Sequence, residues 1–226
     1  MELTNDVSDN LRQIAPRRSE QVYAELKDQL LQAGIRPGER LYESSVAERF
    51  NASRTPVREA LMQLEKEKLI ERDGRAYVVR KMTEDDLTQL YEARLCIETQ
   101  TIRSAIDKIT PDDIDELKRH IELMWKAIET ADVERFNKID SQFHLHIAAL
   151  SGNRVLYGML VGVHEQVMMI RNIAVREILN LTSANEEHAR IVDAIARKNV
   201  EAAVAELKAH LVLTNVVKLF EIKAQK

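Results

Sequence analysis

Apolar positions recur at helical spacing along most of this chain and switch to alternation only once. Between Ser19 and about Ala33, Val22, Leu26 and Leu30 repeat every fourth residue, and "GIRPGER" closes that helix with a glycine-rich turn. A short helix over about 44–50 comes next, with Val46, Ala47 and Phe50 as its inner face. "NAS" supplies the next turn. Ser53 is placed to cap a third helix, and Pro56 falls in its first turn, where no intrahelical N–H partner is needed. Val57, Leu61 and Leu64 form the buried stripe of that helix. Beyond Glu67 the period shortens, and "LIER" and "AYVVR" flank Asp73-Gly74, a dipeptide suited to a type I′ hairpin turn.

From Met82 onward the helical period is unbroken except by local stops. Six amphipathic segments are expected, over about 84–108, 111–130, 133–150, 154–178, 184–197 and 200–222. The fold expected is therefore mainly α: a flexible polar tail over 1–18, a winged helix-turn-helix over 19–81 and an all-α six-helix bundle over 82–226. The 226 residues, 45% of them apolar, suffice for two cores. Four prolines, six glycines and few aromatics agree with helices over strands. The single cysteine, Cys96, excludes an intrachain disulfide and fits a reducing compartment. No segment reaches the roughly 18 apolar residues of a membrane span, and no basic-then-apolar leader opens the chain. A cytoplasmic protein without membrane partners is the expectation.

The net charge of −4 conceals a division. Residues 1–81 hold 15 Lys+Arg against 14 Asp+Glu, whereas residues 82–226 hold 18 against 23. Within 49–81 alone there are nine basic and five acidic side chains. A basic patch inside an acidic chain is a local device, and its position on the third helix suggests which. With Val57, Leu61 and Leu64 buried, Ser53, Arg54, Thr55 and Arg58 project from the helix's N-terminal end. An arginine fork matches guanine O6 and N7 in a major groove, and hydroxyls can hold phosphates. Arg72 and Arg75 on the hairpin would reach the backbone or minor groove. The plain alternative is a solvated basic face.

The bundle carries polar residues on apolar stripes. Asp140 stands among Phe136, Phe143, Ile147 and Leu150, with His144 one turn on. His188 shares a stripe with Ile191, Val192 and Ile195, and His210 lies between Leu207 and Thr214. An unpaired ionised carboxylate in a bundle costs several kcal/mol, so Asp140 needs a partner. That partner is either an Arg or Lys, with each histidine a hydrogen-bonded core residue, or a divalent metal such as Zn, Ni, Co or Mn held by all four. His164 also falls on an inward stripe and is a rival ligand or an effector contact, while His120 and His146 flank theirs. Arg94 interrupts Leu87, Leu90 and Ile97, with Glu98 at i+4. It is either a packing pair or a guanidinium aimed at a carboxylate ligand. Arg171 is a further cation for that role, and Met159, Met168 and Met169 read as core.

"RPGERLYESSVAERFNASRTPVREALMQLEKEKLI" resembles the N-terminal domain of the GntR family of bacterial transcription regulators. The resemblance implies that Arg54, Thr55 and Arg58 contact DNA and that Ser53 contacts phosphate. The chain departs from the pattern at Ser44, where some relatives carry a basic residue, and at Asn51-Ala52, which replaces Gly-Val. The wing also lacks the usual second glycine. The helical part resembles the effector-binding domain of the FadR-type branch in its six-helix, VanR-like form. That branch has a D-x3-H motif with two later histidines, matched by "DSQFH", "EEH" and "AHL", and "YEARLCIE" resembles a helix whose inward arginine lies near the ligand pocket. Together the two resemblances imply a non-enzymatic homodimeric regulator. It would read an inverted-repeat operator in double-stranded DNA and bind a small organic acid at or beside a metal. The alternatives are a regulator that senses the metal itself and a helical-bundle metalloenzyme.

Overall fold

The computed structural model describes residues 17–174 and 181–211. Residues 1–16 of the tail expected over 1–18, the end of the fourth bundle helix and the stretch from 212 through Thr214 to 222 lie outside them. Helix α1 (Arg18–Leu31) turns Val22, Leu26 and Leu30 into the first core. It starts slightly earlier than the spacing implies, because Glu20 caps the Arg17 N–H and Arg18 donates to the Phe50 carbonyl. Strand β1 (Arg40–Leu41) leads into α2 (Glu43–Arg49), and α3 (Arg54–Lys66) buries Val57, Ala60, Leu61 and Leu64. Between α2 and α3 the backbone turns through Asn51 at φ +45°. Asparagine tolerates this left-handed conformation better than most side chains, which accounts for its standing in place of glycine.

Strands β2 (Ile70–Asp73) and β3 (Ala76–Val79) form the wing. The sheet order is β1-β3-β2, antiparallel throughout, with Leu41 opposite Tyr77 and Asp73 opposite Ala76. Two expectations are corrected here. The alternation did not reveal β1, and the hairpin turns on Gly74-Arg75, not Asp73-Gly74. Gly74 takes the positive φ of +61° at the first central position, as in a type II′ turn.

The remaining helices are α4 (Glu84–Ala105), α5 (Pro111–Glu129), α6 (Val133–Leu150), α7 (Arg154–Ala174), α8 (Leu181–Ala196) and α9 (Val200–Leu211). Thr83 and Thr110 form capping boxes with Asp86 and Asp113, and Asp132 caps α6, so each start is fixed locally. Helix α6 is surrounded by α4, α5 and α7, while α8 packs on α5 and α9. Phe136, Phe143, Ile147, Ile191 and Leu207 are among the side chains of this second core.

Helix α7 belongs to both halves. Met169 is buried in the first core, beside Val22 and Leu26, and not in the bundle core. Met159 is a correction outright: it is 56% exposed, on an apolar turn with Val155 and Tyr157.

Candidate metal centre and DNA-facing surface

Four ligand-type side chains from three helices converge inside the bundle. Asp140 and His144 come from α6, His188 from α8 and His210 from α9, and one donor atom of each lies within 4.8 Å of all the others. His188 Nε2 is 3.3 Å from His144 Nε2 and 3.4 Å from Asp140 Oδ1. A second layer sets the rings. Glu98 Oε2 stands 2.6 Å from His144 Nδ1, and Glu187 Oε2 stands 2.9 Å from His210 Nδ1. A carboxylate at Nδ1 keeps the proton there and turns the Nε2 lone pair inward. Imidazole nitrogens 3.3 Å apart, beside a buried Asp140 Oδ1 that accepts no hydrogen bond, suit a cation between them. The residues fit a divalent metal.

Burial is the first influence on Asp140, Glu98, His188 and His210. It would raise Asp140 and Glu98, but Arg171, His144 and His188 around the first, and Arg94 and His144 around the second, hold both well below the usual carboxylate range. It lowers His188, helped by the nearby His210, and it lowers His210 against the opposing pull of Glu187. His188 and His210 are therefore neutral near pH 7, the state a metal requires.

The three residues expected to meet an effector adjoin this centre. Arg94 is buried and donates from Nε to Glu98 Oε1 at 2.7 Å, while its Nη2 has no hydrogen-bond partner. His164 lies behind Glu98, with Nε2 3.4 Å from Oε1 and Nδ1 3.1 Å from Ser141 Oγ. Its burial and the charge of Arg94 push its pKa down to about 4. It is not one of the four converging residues. Arg171 closes the other side, 2.5 Å from Asp140 Oδ2. The packing reading of Arg94 is thus present, and Arg171 is drawn into the cluster more directly than its sequence position suggested.

On the first domain, Ser53, Arg54, Thr55, Arg58, Arg72 and Arg75 are all exposed. Ser53 occupies the N-cap position of α3, but its side chain makes no capping hydrogen bond, which corrects the role expected for it. Arg58 is held by Glu43 of α2 through two bonds of 2.9 Å. Arg72 donates to the Tyr77 hydroxyl at 3.1 Å and lies over its ring. The hydrogen bond from Arg58 and the charges of Arg72 and Arg54 depress the Glu43 pKa, so one carboxylate sits among three arginines. Arg75 stands apart at the hairpin tip.

Sequence reading missed Glu43, Glu187 and a half-buried link between the halves. In that link Lys27 of α1 bonds Glu67 at 2.9 Å and Glu165 of α7 at 2.7 Å. No signal in a single sequence pairs residues so far apart. Glu98 was legible only as a partner of Arg94.

A winged helix-turn-helix with an exposed arginine cluster, joined to a helical bundle, defines a DNA-binding transcription regulator. Residues 18–79 match the model of bacterial regulatory proteins of the gntR family, and residues 89–213 match the FCD domain. The HTH-type transcriptional regulator YdhC of Bacillus subtilis is 31% identical over 84% of this chain and 86% of its own length. The HTH-type transcriptional repressor RspR of Escherichia coli is 25% identical over 85% of each. The solved structure of E. coli McbR/YncC superposes with a TM-score of 0.81 at 25% identity, covering 92% of this chain and 99% of that one. The chain belongs to the GntR family, in the branch whose C-terminal part is an FCD domain. It is a regulator and not an enzyme, so the metalloenzyme alternative falls. Among the described residues, no helix is long and apolar enough to cross a membrane.

Proposed function

We propose that this regulator binds its operator as a homodimer and that a divalent metal at Asp140, His144, His188 and His210, together with a small organic acid, sets its DNA affinity. The observation that carries this reading is the double engagement of α7. Arg171 and His164 on α7 touch Asp140 and Glu98 of the centre, while Met169 and Glu165 on the same helix are seated in the DNA-binding domain. A rigid helix held on two faces, one against each half, is an element that a ligand on one face can bias. Zn suits the three-imidazole, one-carboxylate donor set, and Ni, Co or Mn are alternatives. Arg94, Arg171 and His164 would hold the acid. On the operator, Arg54, Thr55 and Arg58 would meet base edges, Ser53 a phosphate, and Arg72 and Arg75 the flanking backbone. Dimerisation is supported by the exposed Val155, Tyr157 and Met159, with open space above Gly158 and Gly162 one turn apart on the same helix.

A second reading, metal sensing without an organic effector, is favoured by one observation: Arg94 and Arg171 are both already paired, with Glu98 and Asp140. One experiment separates the two. A duplex is selected from a random-core library with the purified protein, and its affinity is measured by fluorescence anisotropy on metal-stripped and Zn-loaded protein, with and without a panel of small carboxylic acids. The proposal expects at least one acid to change affinity about fivefold or more in the Zn form. Zn alone toggling binding, with every acid silent, establishes the second reading. Indifference to metal and acids alike overturns both.

A further inference from the structure

The pair between Glu43 and Arg58 leaves one edge of the guanidinium free. Arg58 donates from Nε to Oε1 and from Nη2 to Oε2 of Glu43, both at 2.9 Å. An arginine has five N–H donors in a planar fork. With the Nε side occupied, the unused N–H groups of Nη1 and Nη2 remain on the outer edge, side by side. That spacing matches guanine O6 and N7. The carboxylate lies beneath and the arginine above it, since the Glu43 side chain is 18% exposed and that of Arg58 59%. Glu43 is in the first turn of α2, so the anchor is part of a folded element and not a loop.

An arginine without such an anchor has a competing partner at the DNA surface. Phosphates attract it by charge alone and carry no sequence information. A carboxylate at the same place opposes that attraction, because it repels the phosphates while holding the guanidinium by its inner edge. We propose that Glu43 is a specificity-determining positioning residue, which presents Arg58 to a guanine edge and keeps it from the phosphate backbone. This rests on the reading of Arg58 as a DNA contact, and the test distinguishes the two.

The full chain is used to select a duplex from a random-core library, and a scrambled duplex serves as the non-specific probe. Affinities for both are measured for wild type, Glu43→Gln, Glu43→Ala, Arg58→Ala and the Glu43→Ala/Arg58→Ala double variant. Glu43→Ala is expected to lower the ratio of selected to scrambled affinity about tenfold, the scale of one bidentate base contact. Its affinity for the scrambled duplex stays the same or rises, since a negative charge has been removed. Glu43→Gln gives a smaller loss in the same direction. In the Arg58→Ala background the Glu43 substitution has no further effect on the ratio. Repeating the selection with Glu43→Ala loses the preference for guanine at one symmetry-related position. Equal weakening on both duplexes, or an undiminished effect without Arg58, overturns the positioning role. If Arg58→Ala itself discriminates as wild type does, the DNA-contact reading falls first and this proposal with it.

Discussion

Arg58 and Arg94 each hold a glutamate, yet the two pairs are opposites in what water does to them. The Arg58 side chain is 59% exposed and rests on Glu43 at the surface of the first domain. That of Arg94 is 2% exposed and meets Glu98 inside the bundle. Solvent screens the first pair, so it adds little to folding and can be offered to another molecule at small cost. The second was formed by removing both charges from water, and breaking it leaves one of them buried alone. Glu98 also faces His144 and His164, so its loss propagates. One region of this chain keeps charges available, and the other makes them mutually dependent.

The sharpest way to break this contrast is to delete the two glutamates separately. Glu98→Ala should cost about 3–5 kcal/mol, as the removal of one partner from a buried pair does. For a chain of this size that lowers the melting temperature by about 10 °C. Glu43→Ala should leave it within a degree. Calorimetry of both variants checks the difference, and equal shifts would end the comparison.

Metal should reinforce only the bundle. Zn at a thousandfold excess over its dissociation constant stabilises a folded-state site by about 4 kcal/mol. Thermal shift on metal-stripped protein should show this rise in wild type and lose it in His188→Ala, while Arg54→Ala responds as wild type.

Acid should likewise act on the buried region. An unfolded imidazole takes its proton near pH 6.5, whereas folded His164 resists until about 4. Between those values the unfolded state binds more protons, so stability falls as pH drops through that window. The loss from this group is about 3 kcal/mol. Denaturant unfolding of stripped wild type from pH 7 to 4 measures it, and His164→Gln should flatten the curve.

The smallest effect expected joins the two regions. Lys27 ties Glu67 beside the end of α3 to Glu165 on α7. Lys27→Gln should keep metal binding while reducing the change in DNA affinity that metal or acid produces, itself about fivefold or more. Anisotropy titrations of the variant with and without Zn test this.

The two regions also differed in how much could be read before folding. The recognition helix is a local object: Pro56, the spacing of Val57, Leu61 and Leu64, and the arginines between them all lie within one segment. The bundle centre was legible for a related reason, since Asp140, His144 and His188 interrupt apolar stripes where a polar group needs a partner. What stayed hidden depended on distance along the chain. Met169 reads as bundle core by its period, yet its contacts lie in the other domain. Glu187 and Glu43 look like ordinary solvated acids until α9 brings His210 to one and α3 brings Arg58 to the other. Strand β1 is two residues long, too short for any alternation, and is held by its pairing with β3. Where a property was set by neighbours in sequence it could be seen; where it was set by packing it could not.

The buried acid–histidine cluster is proposed as a metal centre. Its most direct test is the metal content of the full-length protein, by elemental mass spectrometry on purified samples and after reconstitution with Zn, Ni, Co or Mn in turn. Wild type should retain about one equivalent of a divalent transition metal per chain, and the His144→Ala/His188→Ala double variant essentially none while remaining folded. A wild type that retains none of the four ions, or a double variant that retains as much as wild type, would contradict it.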